Sequence, residues 1–174
     1  MCNKFKDFNI REVCESELDE CAEVIRRSFA TVAKEFNLTQ ENCPKHRAFI
    51  RTEQLVNDRV SGTMQFGLFI RNKNGDILIG FVALKKKLDE NIYELKMLSV
   101  LPEYRHNGFG RKLIDFAKYK IKGLDGDKIK IAVIEENIIL KDWYVSNGFI
   151  QTGTEFFPDN QKPFTVGFME VEVK

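Results

Sequence analysis

The stretch with the most evident chemistry is Arg105-His106-Asn107-Gly108-Phe109-Gly110-Arg111. An apolar run ends just before it at Val100, Pro102 marks a turn, and a helical pattern runs from Phe109 to Lys122. A strand, a short loop and a glycine-opened helix leave a cluster of backbone N–H groups with no intrahelical partner. The positive end of the helix dipole, on the order of half an elementary charge, adds to them. Such a turn takes up phosphate or pyrophosphate. Glycine at 108 and 110 lets an anion reach the backbone and tolerates positive φ. Arg105 and Arg111 flank the loop as cations able to screen a doubly charged group. A plain turn entering a helix fits the same two glycines, so the motif alone leaves that alternative open. A dinucleotide fingerprint does not fit, because Leu113 stands where its third glycine belongs. No Gly-Lys-Ser/Thr closes the run either, so the anion belongs to something other than a nucleoside triphosphate or a nicotinamide cofactor.

The elements that position this loop are legible from spacing. Residues 8–14 alternate as a first strand. Ser16 is a helix cap with Asp19 three residues on, and Leu18, Cys21, Ile25, Phe29, Val32 and Phe36 recur at helical spacing. Asn42 and Pro44 predict a second helix running to about Arg59. Its apolar positions, Phe49, Leu55 and Val56, are few, which suits a partly exposed flank. Residues 66–71 and 77–87 are strands joined by a hairpin at Asn74-Gly75. In a fourth strand, 91–100, alternation puts Tyr93, Leu95 and Met97 on one face, with Glu94 and Lys96 on the other. Gly123 ends the helix after the glycine loop. A strand at 128–134, a helix capped by Asn137 and stopped by Gly148, and strands at 149–156 and 164–173 complete the chain. The strand–helix–strand unit from 91 to 134 demands a parallel pair in an otherwise antiparallel sheet. The expectation is an α/β fold, one domain over 1–174, with a mixed central sheet of about seven strands and about four helices.

Bulk properties narrow the function. The 174 residues are enough for a substantial core. The formal net charge of +1 argues against nucleic acid as a partner, and no apolar run is long enough to cross a membrane. The start, residues 1–10, lacks the apolar region of a secretory signal, and the expected location is the cytoplasm. Cys2, Cys14, Cys21 and Cys43 lie at no metal-binding spacing, so free thiols are expected. His46 and His106 are too isolated for a metal site, and none is expected. Lys85-Lys86-Lys87 reads as a solvated strand end.

The element order and the loop Arg105-x-x-Gly108-x-Gly110 resemble the GCN5-related N-acetyltransferase (GNAT) superfamily over nearly the whole chain. The closest stretches are LKMLSVLPEYRHNGFGRKL, residues 95–113, and a second signature formed by Asn137, Trp143, Tyr144, Asn147, Gly148 and Phe149. The resemblance implies a splayed parallel strand pair forming the cleft for acetyl-CoA. Backbone groups of Leu98, Ser99 and Val100 would bond the pantetheine arm, and the N–H groups of His106, Asn107, Gly108, Phe109, Gly110 and Arg111 would hold the pyrophosphate. Arg105 belongs to the same cofactor-binding set. It also implies that Asn137 contacts the cofactor and that Tyr144, seven positions on and on nearly the same face, protonates the departing sulfur.

The implied reaction is direct acetyl transfer to a primary amine. An amine with a pKa near 10.4 must first lose a proton, and Glu94 is the candidate base. An ordinary solvated carboxylate, or an ion pair with a lysine such as Lys96, is the other reading of Glu94. Tyr144 is alternatively a core aromatic beside Trp143. The oxyanion donor is expected to be the backbone N–H of Leu98 or Val100. A non-catalytic acyl-CoA-binding or sensing module and a purely structural domain stand as alternatives. The resemblance places the acceptor site at residues 28–62 and 156–164. There Phe36, Phe49, Phe156 and Phe157 mix with Glu35, Glu41 and Asp159, suiting a cationic amine, small-molecule or peptide, with apolar parts. A monomer or a homodimer is compatible with the chain.

Overall fold

Helical and strand spacing fold the residues described in the computed structural model, 7–88, 90–157 and 163–173, into an α/β arrangement. Cys2, Pro158 and Asp159 lie outside the described residues. The elements are β1 (Phe8–Glu12), α1 (Leu18–Glu35), α2 (Thr52–Val60), β2 (Met64–Asn72), β3 (Gly75–Lys86), β4 (Ile92–Val100), α3 (Phe109–Lys122), β5 (Lys128–Ile134), α4 (Ile138–Ser146), β6 (Ile150–Phe156) and β7 (Thr165–Glu172). The strands form one sheet in the order β1-β2-β3-β4-β5-β7-β6. β4 and β5 run parallel, and the other neighbours are antiparallel. The mixed sheet expected from the strand–helix–strand unit is therefore present.

Two apolar layers cover the sheet. On one face, Phe109, Leu113, Ile114, Ala117 and Ile121 of α3 pack with Tyr144 of α4 against Leu68, Ile79, Val82, Leu84 and Ile129. On the other, Leu18, Cys21, Ala22, Val24 and Ile25 of α1 join Leu55 of α2 against Leu78, Phe81 and Ala83. Each fully buried Leu, Ile or Phe adds about 1.5–3 kcal/mol relative to exposure, so these two stripes hold the helices to the sheet. Leu55 is wholly buried and anchors α2, which is otherwise partly exposed as its few apolar positions suggest. Cys21 and Cys43 are buried, whereas Cys14 is exposed. Among the described residues no helix is long and apolar enough to cross a membrane.

Four local expectations are corrected. Ser16 does not cap α1. A 3-10 turn, Glu15–Glu17, precedes the helix, and the Glu17 carboxylate accepts from the Cys14 amide at 2.8 Å. The second helix begins at Thr52, not near Pro44. Asn42 instead exchanges hydrogen bonds with Thr39, Thr39 N donating to its Oδ1 at 2.8 Å, and so closes a loop. In the β2–β3 hairpin, Gly75 pairs opposite Asn72, so the turn is centred on Lys73 and Asn74. Finally, β4 does not alternate throughout. Met97 has φ +56 and the register with β3 shifts there, so one extra residue is accommodated. Tyr93 and Leu95 therefore pack in the α3 layer while Met97 packs in the α1 layer.

The α1 entry makes a measurable contribution to stability. Arg11 donates to both Glu17 oxygens, at 2.6 and 2.9 Å. These bonds, with the Cys14 amide, hold Glu17 at about 2, well below its ordinary 4.5. A carboxylate depressed on folding stabilises above its unfolded pKa and ceases to do so as pH falls through the folded one. Arg11 is 39 % exposed, so after solvent screening the contribution is about 1–2 kcal/mol. Glu17→Gln should lose that much at pH 7 in denaturant titrations and differ from wild type by almost nothing near pH 2. A pH-independent deficit would reject the ion pair as its source.

Candidate functional site

β4 and β5 pair at Ile92/Lys128, Tyr93/Ile129 and Glu94/Lys130 and then separate. Beyond Glu94, β4 continues to Val100 along β3, and β5 continues to Ile134 along β7. The result is a V in the sheet, closed at Glu94 and open towards the loop. The Leu101 amide donates to Ile79 O at 2.9 Å. By antiparallel alternation this turns the amides of Ser99 and Leu101 towards β3 and that of Val100 towards the gap. Val100 therefore presents its N–H to the gap, and Ser99 does not. The Ser99 hydroxyl is also taken, donating to Met97 O at 2.9 Å. Leu98 lies half-buried against the α3 layer.

The glycine turn sits at the mouth of this V. His106 has φ +61, and Gly108, the N-cap of α3, has φ +79. The backbone amides of His106, Asn107, Gly108, Gly110 and Arg111 have no acceptor among the described residues. Asn107 does not fill the turn, because its Nδ2 folds back to Arg105 O at 2.9 Å and Tyr104 O at 3.2 Å. The Phe109 ring anchors the helix start, meeting Phe8 edge-on at 6.2 Å. The two glycines serve different ends. A Cβ at Gly108 would meet nothing within 4 Å, so this position is open to a ligand and glycine is required by its positive φ. A Cβ at Gly110 would come within 3.1 Å of the Trp143 ring, so this glycine lets α4 approach α3. Arg111 lies 71 % exposed beside the turn, with Asp115 at 3.9 Å.

Arg105 is placed differently from its expected role as a phosphate ligand. Its guanidinium turns away from the amides and donates to Val100 O, Thr31 Oγ1 and Ser28 O. A basic residue next to glycines reads as an anion ligand, and nothing local in the sequence reveals partners more than 70 residues away.

On the far side of the V, Asn137 caps α4 by accepting from the Leu140 amide at 3.1 Å. It is the N-cap, with φ −83° and ψ 74°, and Tyr144 follows two helical turns later. Tyr144 is buried, its ring 5.0 Å from Trp143 and 5.3 Å from Phe149. Burial pushes its phenol well above the usual tyrosine range.

These features are those of a known enzyme family. The profile of the acetyltransferase (GNAT) family matches residues 29–149. The chain belongs to the GNAT family. A relative, an uncharacterized N-acetyltransferase in the pepI 3′ region of Lactobacillus delbrueckii subsp. lactis, is 23% identical over 158 residues, 85% of this chain and 87% of that protein. Among solved structures, a probable acetyltransferase from Staphylococcus epidermidis superposes with a TM-score of 0.75 at 16% identity, covering 97% of this chain and 100% of the other. A putative acetyltransferase from Salmonella typhimurium, solved with its cofactor acetyl-CoA, superposes with a TM-score of 0.71 at 14% identity, covering 97% and 95%.

Within this GNAT chain, Glu94 stands at the closed end of the V, its neighbours Tyr93 and Leu95 packing in the Tyr144 layer. Alternation therefore directs Glu94 to the α1 side. It is opposite Lys85 on β3 and Lys130 on β5, with Lys87 Nζ 3.9 Å from Oε1. The ion-pair reading thus holds for Lys87 rather than Lys96. The α1 side also carries His46, set edge-on between Phe29 at 5.7 Å and Phe49 at 6.2 Å. Burial, with a smaller push from Arg47, lowers His46 to about 4, so the imidazole is neutral near pH 7. Its Nδ1 accepts from the Ala48 amide, at 3.3 Å.

Proposed function

We propose that this chain is an acetyl-CoA-dependent N-acetyltransferase that transfers the acetyl group directly to a primary amine. One observation carries the reading: a turn of unpaired amides opens beside a strand pair whose edges are free to bond a ligand backbone. Acetyl-CoA supplies the activated thioester. The amides of His106 to Arg111 would hold its diphosphate, each charge-assisted bond contributing about 1.5–3 kcal/mol. The N–H of Val100 would bond the pantetheine arm, and Asn137 and Leu98 flank it. Glu94, directed to the α1 side, would accept the amine proton through water, with the neighbouring lysines as its counter-charges. Tyr144 holds a proton at Oη, its burial keeping it protonated at all ordinary pH values, and would pass it to the departing thiolate.

α1, the segment 36–51 and Phe164 would form the acceptor wall, which carries Phe36, His46 and Phe49 together with the exposed Glu35 and Glu41. That mixture supports a cationic small-molecule or peptide amine with apolar parts. A cytoplasmic protein of one catalytic domain, monomer or homodimer, completes the reading. The test is thiol release from acetyl-CoA with a panel of polyamines, aminoglycosides, amino acids and peptide N-termini. Release with at least one amine is expected. Tight CoA binding without release for every amine would assign the alternative, a non-catalytic acyl-CoA-binding module.

A further inference from the structure

We propose that Arg105 is a positioning residue that braces the acceptor-side helix α1 against the cofactor turn, so that filling the turn stiffens α1. This rests on the function proposed above. The guanidinium donates in three directions: Nε to Val100 O at 3.1 Å, Nη1 to Thr31 Oγ1 at 3.0 Å and Nη2 to Ser28 O at 2.7 Å. A second tie runs parallel to it, from Arg27 Nη2 to Glu103 Oε1 at 2.7 Å. Between them, Tyr104 packs against both apolar layers. The segment 102–105 is thus fastened to the middle of α1 and to the last residue of β4.

What lies at each end of the brace gives it a function beyond stability. At one end, His106 follows Arg105 directly and begins the run of unpaired amides. At the other, α1 continues from Thr31 to Glu35, into the Val32, Ala33 and Phe36 cluster that meets Ile134 at the end of β5. An anion that fixes the backbone from 106 to 111 also fixes the Cα from which the brace springs. The guanidinium then holds α1 at a smaller entropic cost, which is a coupling between two sites. Arg105 suits the role because its planar fork bonds three acceptors at once, which a lysine ammonium on a flexible stem does less well.

Hydrogen exchange of the full chain, with and without saturating CoA, tests this. In wild type, CoA should slow exchange at 106–112 and also, by about fivefold, at 28–35. In Arg105→Gln the slowing at 106–112 should persist while that at 28–35 falls below about twofold. Thr31→Val, at an exposed position, removes one acceptor and should give an intermediate ratio, and it carries the test if Arg105→Gln does not fold. A merely structural role changes exchange equally with and without CoA and leaves the ratio intact, which overturns the proposal. Slowing confined to 106–112 in wild type overturns it too, while leaving the function standing. Absence of any CoA effect at 106–112 overturns both.

Discussion

Tyr144→Phe should lower acetyl-transfer turnover by about 100-fold, the scale of a lost general acid, while CoA affinity should stay within about twofold. The substitution removes one oxygen from a ring held by Trp143 and Phe149, so packing and the neighbouring cap at Asn137 are retained. Burial raises the phenol's pKa, so the proton stays on Oη at neutral pH; the same shift makes it the weaker acid towards a thiolate, and the transfer is therefore coupled to cleavage of the carbon–sulfur bond. Steady-state kinetics with any accepted amine, alongside calorimetry with CoA, separates the two effects. Equal loss of turnover and affinity would mean that the ring positions the cofactor, and unchanged turnover would remove Tyr144 from the chemistry.

The other large effect is expected at the turn. Gly108→Asp should weaken CoA binding about 100-fold, or nearly 3 kcal/mol. Two causes act together. The left-handed backbone at φ +79 costs a residue with a Cβ about 1–2 kcal/mol, somewhat less for Asp. The new carboxylate also offers its own oxygens to the amides that a diphosphate would occupy, and repels that diphosphate at short range. No atom lies within 4 Å of the added Cβ, so the fold should survive with a melting temperature lowered by only about 2–4 °C. Gly108→Asn separates the causes, since it has the same shape and tolerance of left-handed backbone without the charge. Calorimetry should find it about tenfold weaker than wild type. Equal effects of Asp and Asn would show that the turn recognises no anion.

How much of this was legible in the chain depended on the range of the interactions involved. α1 and α3 were readable because their buried stripes repeat at helical spacing, and the mixed sheet followed from a parallel pair that α3 must cross. The turn was readable because glycine at 108 answers a local backbone demand. The start of α2 was not, since Asn42 and Pro44 carry the same signals in a loop as before a helix, and Asn42 spends its amide on Thr39. The irregularity at Met97 was hidden because a one-residue slip keeps every residue type suitable for a strand. The close approach of Trp143 to Gly110 was out of sight too, since it joins residues of two different helices. Arg105 was the furthest from sight, as its acceptors Ser28 and Thr31 come from the first helix.

The slip at Met97 also divides control of the cleft between the two sides of the sheet. Below it, Glu94 belongs to the α1 side. Above it, Leu98 and Val100 rest on α3 while Met97 and Leu101 rest on α1. One strand is thereby gripped from opposite sides along its length. A shift in either helical layer is therefore carried into the gap between β4 and β5 through β4 itself.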